Sequence, residues 1–269
     1  MLYLCATPIG NLEDMTFRAI RILREVDLIA AEDTRRTRKL LTHFEIHTPL
    51  IRFDENCKAA VAEKILQRLQ AGESVAVVSD AGLPAISDPG ADLVRLAIDA
   101  GINVCPVPGA NAALSALICS GLDTRKFLFA GFAPKTKKNR REFLEKLSTI
   151  DATIIFYEAP HRLKNFLAEL AEIFGEREIV LARELTKVHE EFLRGKLSEL
   201  KNIAEPRGEF VVVVEGKNFV APLEENPLEF YRKLLAQGLD KKSAMREAAK
   251  KFNVSRREIY NAIIKEGIQ

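Results

Sequence analysis

No run in this chain of 269 residues approaches the ~20 consecutive apolar residues of a membrane-spanning helix, so no membrane protein is expected. No basic segment precedes the first apolar run, so no secretory signal is expected either. The four cysteines, Cys5, Cys57, Cys105 and Cys119, contain no CxxC pair, which argues against a zinc knuckle or a dithiol redox motif. Cys5 and Cys105 stand in apolar, strand-like runs and read as small core residues of a protein in a reducing cytoplasm. Neither GxGxxG nor GxxxxGK[ST] occurs, which disfavours a diphosphate cradle. Repeats and low-complexity segments are absent. An excess of one charge is missing too: 40 basic and 38 acidic residues leave a net charge of +2. Any hold on nucleic acid must then come from local patches.

What remains is an ordinary globular composition, 47% hydrophobic and 29% charged. Apolar strand patterns alternate with amphipathic helix patterns. "MLYLCA", "DLIAAE", "LIRF", "SVAVVS" and "INVCPV" read as strands, with helices over 16–25, 34–44, 58–71 and 90–100 between them. "SVAVVS" is apolar on every residue but its ends, as a strand buried on both faces must be. Strand–helix alternation predicts a parallel α/β sheet. After "VPGANAALSALICSGL" the pattern resumes with "KFLFAGF", "ATIIFYE", a helix to about 174, "REIVLARE" and "GEFVVVVEG". The reading is two α/β domains, 1–122 with a parallel sheet and 123–217 with a mixed one. A proline-containing linker then leads to a helical tail over 226–269.

Four stretches fall at strand ends in the first half: "TPIGN", "EDTRRT", "SDAGLPAISDPG" and "VPGANAA". Ligands of open α/β sheets gather at the carboxyl ends of strands, so four loops on one edge predict one pocket. Asp80 and Asp88 would repel phosphate. They suit a cation, or the hydroxyls and amino group of a nucleoside. S-adenosylmethionine has a sulfonium, an ammonium and a ribose, and no phosphate. A loop of Pro8, Ile9 and Gly10 lets such a ligand approach the backbone without a phosphate nest. For any one loop, a turn or helix cap explains the same residues. The coincidence of four favours a site.

These stretches, with "FYEAPHRL" and "LARELTKVHEEF", resemble the ribosomal RNA small subunit methyltransferase I family, within the tetrapyrrole-methylase-like class of S-adenosylmethionine enzymes. The likeness runs in order from residue 1 to about 216. It implies two α/β domains holding the cofactor in their cleft, a homodimer, and 2'-O-methylation of a cytidine ribose in the decoding centre of small-subunit ribosomal RNA. Carried over by position, it implies cofactor contacts at Pro8, Ile9, Gly10, Asp80, Gly82, Leu83, Ser87, Asp88, Ala112, Ala113, Tyr157 and Ala182, with "GEF" at 208–210 closing the adenine side.

A ribose hydroxyl is a poor nucleophile, so a base or a nearby cation should assist it. The candidates are charged groups at strand ends: Glu158, Arg183, Glu184 and Lys187, with Asp33 and Arg35 behind them. A structural salt bridge is the alternative for each. His161, starting a helix, reads as a cap or a phosphate contact. "PKTKKNRR" supplies Lys135, Lys137, Lys138, Arg140 and Arg141 in eight residues with no acid. Basic residues at a helix N-terminus oppose the helix dipole, so an anionic partner such as RNA explains the cluster better than chance does. Arg35 and Arg36 extend the patch, with Arg38 and Lys39 beyond. In the tail, "AAKKF" and "RREIYNAI" around a short turn resemble a helix-turn-helix, or else a small packing unit. Two rival functions stay open: a methylase acting on a tetrapyrrole-like ring, and a non-catalytic sensor that binds nucleic acid through the tail.

Overall fold

The computed structural model describes residues 1–54, 58–86, 90–201, 207–217, 227–252 and 254–265. The chain divides into two compact units, Met1–Asn218 and Phe219–Gln269.

The first unit opens with β1 (Leu2–Cys5), α1 (Phe17–Glu25), β2 (Leu28–Ala31), α2 (Thr34–His43), β3 (Leu50–Arg52), α3 (Lys58–Gln70), β4 (Val75–Val78), α4 (Ala91–Asp99) and β5 (Val104–Val107). These strands form one sheet in the order β3-β2-β4-β1-β5, every pair parallel. Side chains alternate across a strand, and here both alternations are buried. Val75 and Val77 pack with Leu2, Leu28 and Ala30 against Ile65 and Leu69 of α3 and Leu93 of α4. Ala76 and Val78 pack with Ile29 and Ala31 against Ile22 and Leu23 of α1 and Leu41 of α2. That is why β4 reads as an unbroken apolar run. Each fully buried valine or isoleucine contributes roughly 1.5–3 kcal/mol.

α5 (Ala112–Ser120) follows, ended by Gly121 in the left-handed region at φ 82°. Then come β6 (Phe127–Phe132), α6 (Lys137–Leu147), β7 (Thr153–Glu158), α7 (Pro160–Phe174), β8 (Glu178–Arg183), β9 (Glu191–Lys196), α8 (Leu197–Leu200) and β10 (Phe210–Val214). The second sheet runs β6-β7-β10-β8-β9, with only the β6–β7 pair parallel. One face packs on α6 and α7 through Phe156, Phe166, Leu163 and Leu181. The other face packs on α5: Ala113, Ala116 and Leu117 meet Ile155, Val180 and Val213. The helix that follows the last strand of the first sheet therefore lies against the second sheet. Its alanines permit that close approach and bring the two strand-end rims together.

In the second unit, α9 (Pro227–Ala236), α10 (Lys241–Phe252) and α11 (Arg256–Lys265) share a core of Leu228, Tyr231, Ala244, Ala248, Ile259 and Ile263. Asn253, in the expected turn between the last two helices, lies outside the described residues, as does Cys57. Strand β9 was not expected from the sequence. It is an edge strand paired only with β8, its residues half-buried or exposed, and "EFLRGK" carries no apolar run to betray it. Cys5 is fully buried, as expected of a core residue, whereas Cys105 is half-buried and accepts a hydrogen bond from Arg18 Nη2 at 3.2 Å. No helix among the described residues is long and apolar enough to cross a membrane.

Candidate active site

The rim of the first sheet is tied together by short bonds. The loop after β1 and the loop after β4 form a two-way bridge: Thr7 N donates to Gly82 O at 2.9 Å and Gly82 N donates to Thr7 O at 3.0 Å. Gly82 holds φ +78°, and a Cβ there would face Ile9 at 3.4 Å. This is a position where glycine avoids a left-handed penalty. Asp80 links the loops after β2 and β4. Its Oδ1 accepts the backbone N–H of Asp33 at 3.1 Å, and its Oδ2 lies 3.1 Å from Arg36 Nη1. Asp33 caps α2 by accepting Arg35 N–H at 2.8 Å, and Asn111 caps α5 by accepting Leu114 N–H at 2.9 Å.

The rim of the second sheet is richer in ionisable groups. Glu158 ends β7 with a side chain that is 0% exposed. Its Oε1 accepts the Ala159 N–H at 2.9 Å and pairs with Arg162 Nε at 3.2 Å, while Oε2 is buried with no hydrogen-bond partner among the described residues. Burial raises its carboxyl above the ordinary range, against the pull of the Ala159 N–H and of Arg162, Arg140 and His161. Beyond β8, Lys187 Nζ bridges Glu184 Oε1 and Glu209 Oε2, both at 2.9 Å. The Glu209 N–H and then Lys187 hold the Glu184 carboxyl below its ordinary range. Burial works against the Lys187 ammonium, but the bonds from Glu184 and Glu209 hold it above its usual value. Glu184 and Thr186 both carry positive φ, 49° and 66°. Non-glycine residues so placed mark a strained loop held by its surroundings. The loop presses on the first sheet's rim: a Cβ on Gly10 would lie 2.6 Å from Lys187 Cγ and 2.9 Å from Leu185 O.

Between the rims is a cavity of about 510 Å³. Its apolar wall includes Ile9, Leu83, Ala112, Ala182 and Leu185, and its polar wall includes Glu32, Asp80, Glu158 and Glu209, with Arg36 and Asn111. Burial and then the neighbouring Asp80 charge push the Glu32 carboxyl up. Among the described residues, no group of three or more His, Cys, Asp or Glu is placed to hold a metal ion.

Residues 1–201 match the family described as Tetrapyrrole (Corrin/Porphyrin) Methylases. The chain is 50% identical to "Ribosomal RNA small subunit methyltransferase I" of Halalkalibacterium halodurans, over 97% of this chain and 93% of that protein. The identity to the protein of that name from Bacillus subtilis is also 50%, with the same two coverages. The chain belongs to this methyltransferase family. Two solved structures share the fold at low identity. Diphthine synthase aligns with a TM-score of 0.61 at 17% identity, over 80% of this chain and 90% of that one. Uroporphyrin-III-C-methyltransferase from Thermus thermophilus aligns at 0.57 and 22%, over 80% and 94%.

For this family member, the cavity brings together Ile9, Asp80, Gly82, Leu83, Ala112, Tyr157, Ala182 and Glu158 of the residues singled out in the sequence. Pro8 and Gly10 stand beside Ile9 but do not line it. Ala113 does not line the cavity: it is buried in the core against the second sheet, on which Ala112 also packs while facing the cavity. Ser87 and Asp88 lie outside the described residues. Arg183, Glu184 and Lys187 do not line the cavity: Arg183 binds Arg207 O and Glu191, and the other two bind each other. His161 is exposed, and the N-cap of α7 is Ala159, so it is no cap. In the basic stretch, Arg140 forks onto Glu169 at 2.7 Å on both nitrogens, and Arg141 pairs with Glu145 and Glu172. Arg140 is thus nearly buried and Arg141 lies at the surface: Glu169 and Glu172 come from α7, which the local sequence does not reveal, and Glu145 from α6 itself. Glu32, Ile86, Asn111 and Phe132 line the cavity without having been singled out. Glu32 stood in "EDTRRT" and was legible as a strand-end acid. Phe132 carried no signal beyond being the last residue of its strand.

Proposed function

We propose that this chain transfers a methyl group from S-adenosylmethionine to the 2'-hydroxyl of a cytidine ribose in the decoding centre of small-subunit ribosomal RNA. The observation that carries the reading is the cavity itself. Its volume of about 510 Å³ falls in the range of small-molecule sites, its wall is apolar with a few carboxylates, and among the described residues its lining includes a single glycine, Gly82, and no glycine cradle for phosphate. That lining fits a cationic, phosphate-free nucleoside. Gly82 and Ala112 leave room beside the backbone, Asp80 and Glu32 attract positive charge, and Ile9, Leu83 and Ala182 supply apolar contact.

When bound, the cofactor supplies an electrophilic methyl group for in-line displacement. The chain's own part is positioning and proton management. Glu158 lines the cavity, and its Oε2, buried and without a partner among the described residues, is the carboxylate oxygen left to accept the proton of the ribose hydroxyl once the substrate is seated. Arg162 holds the other carboxylate oxygen and fixes its orientation. Glu184, Lys187 and Glu209 form a strut that sets the loop against Gly10. Identity of 50% over 97% of the chain to proteins named for ribosomal RNA favours RNA over a tetrapyrrole ring. It also favours an enzyme over a sensor. The working form is a cytoplasmic homodimer, for which Leu114 and Ile118, one turn apart on α5 and 45% and 73% exposed, provide an apolar contact.

The test is methyl transfer from labelled cofactor to small ribosomal subunits from cells lacking this protein, with the product nucleoside identified. The expected product is 2'-O-methylcytidine. Label on a base, or no transfer by protein that binds the cofactor, would sink the reading.

A further inference from the structure

The cavity accounts for one side of α2 and leaves another unexplained. Arg36 turns to Asp80 and lines the cavity. Arg35, Arg38, Lys39, Thr42 and His43 line a different feature, an open groove of about 600 Å³. Offsets of three, four, seven and eight from Arg35 put them on one stripe of the helix.

The stripe is unusual in its charge. No acid occurs from residue 34 to 44, in a chain whose net charge is only +2. Arg35 and Lys39 are like charges at i and i+4, and Arg35 and Arg38 at i and i+3, arrangements that destabilise a helix. Arg35 and Arg36 also sit in the first turn, where cations oppose the dipole. Asp33 and Asp80 offset those two. Arg38 and Lys39 make no ion pair among the described residues and are exposed. At the far end, Arg24 of α1 adds another cation, its Nη2 donating to Phe44 O at 2.7 Å. Glu45, just past the helix, is the first acid after Asp33 in the sequence.

We infer that this stripe binds the sugar–phosphate backbone of the RNA strand whose nucleotide enters the cavity. The inference rests on the RNA reading above and adds where the strand runs. Guanidinium, ammonium and imidazole are donor types that contact phosphates, Thr42 having already donated its hydroxyl to Arg38 O at 2.8 Å, and the residues lining the groove include no apolar anchor of the kind a protein interface needs. From residue 35 to 43 the helix rises about 12 Å, roughly three to four phosphates of a stacked strand. Arg36, at the cavity wall, is less than one turn from Lys39. A strand on the stripe is thus within about 5 Å along the helix of the cavity rim.

The test compares the full chain, the double variant R38A/K39A and a control double variant, K64A/R95A, that removes two charges from exposed positions on α3 and α4. Binding to a small-subunit RNA fragment is measured against salt, and cofactor binding by calorimetry. R38A/K39A is expected to weaken RNA binding about tenfold or more and to lower the salt slope by about 1.4, two phosphate contacts on a single strand. Cofactor affinity should not change, and the control should bind RNA as the parent chain does. Equal losses in the two double variants would overturn the inference, since any lost charge would then serve. So would an unchanged slope in R38A/K39A while the parent chain binds RNA, and that result would leave the RNA reading standing. No RNA binding by the parent chain would remove both.

Discussion

Two basic helices of the first unit use their cations differently. Around α6 the arginines meet carboxylates: Arg140 pairs with Glu169 at 13% and 15% exposure, Arg162 with the buried Glu158, and Arg141 at the surface with Glu145 and Glu172. In the first half, α2 gives two of its cations to strand-end aspartates and leaves Arg38 and Lys39 outward. By sequence the ranking is the reverse, with "PKTKKNRR" the denser run. Charge density along the chain says how many cations a helix bears. Whether they reach a partner depends on which carboxylates the fold places opposite, and α7 brings its glutamates across about thirty residues of sequence. The rims differ likewise. The first is held by backbone bridges and caps, while the second holds the buried carboxyl; both carry a non-glycine residue at positive φ, Ala85 in the first and Glu184 and Thr186 in the second.

The largest expected effect tests the chemistry assigned to the second rim. Glu158→Gln should lower kcat by about 10²-fold or more, the usual worth of a positioned base. Gln keeps an acceptor for the Ala159 N–H, so the fold should persist. The sign with pH follows from burial, which raises this carboxyl above its ordinary range. A base must be ionised, so kcat/KM should climb with pH through that raised value and then level off, and the variant should lose this limb. Arg162, Arg140 and His161, the charges around Glu158, are unchanged by the substitution. A pH profile identical to that of the parent chain would return Glu158 to a purely structural place beside Arg162.

Next is the sharpest test of the comparison itself. The Arg140 and Glu169 side chains are 13% and 15% exposed. Arg140→Met leaves Glu169 nearly buried without its partner and should cost roughly 2–3 kcal/mol, somewhat under the value for a fully buried pair. Urea denaturation measures it. RNA affinity of the folded variant should be unchanged. Weakened RNA binding without a change in stability would mean that Arg140 faces the substrate after all.

Much of this was legible in advance. The five parallel strands follow from alternating apolar and amphipathic runs, and the pocket follows from four turn-rich loops at strand ends, because both are local patterns that burial enforces. Ile9, Asp80 and Gly82, which line the cavity, were marked in the sequence by standing in turn-rich loops at strand ends. The illegible parts are those that depend on partners distant in the chain. Ala113 is buried because α5 packs on the second sheet, and Ala112, its neighbour, packs there only in part and also lines the cavity. Arg140 is consumed by a glutamate 29 residues away. β9 exists because β8 offers it an edge, and nothing in its own residues demands a strand.

At the seam of the two rims, Gly10→Ala should have a smaller effect on stability. A Cβ there meets Lys187 Cγ at 2.6 Å, Thr186 Oγ1 at 2.8 Å and the backbone oxygen of Leu185 at 2.9 Å. The lysine stem can move, but the Leu185 carbonyl is backbone and moves only with its loop. Overpacking of this kind costs about 1–3 kcal/mol when it must shift backbone, and here one rim lies in a loop already strained at Glu184 and Thr186, so the lower end is expected. The consequence for the cavity should be larger than that for the fold, because Ile9 and Leu185 line it from either side of the contact. Cofactor affinity by calorimetry should fall several-fold while the urea midpoint moves little. Lost stability with intact cofactor affinity would mean that the seam braces the fold and does not shape the site.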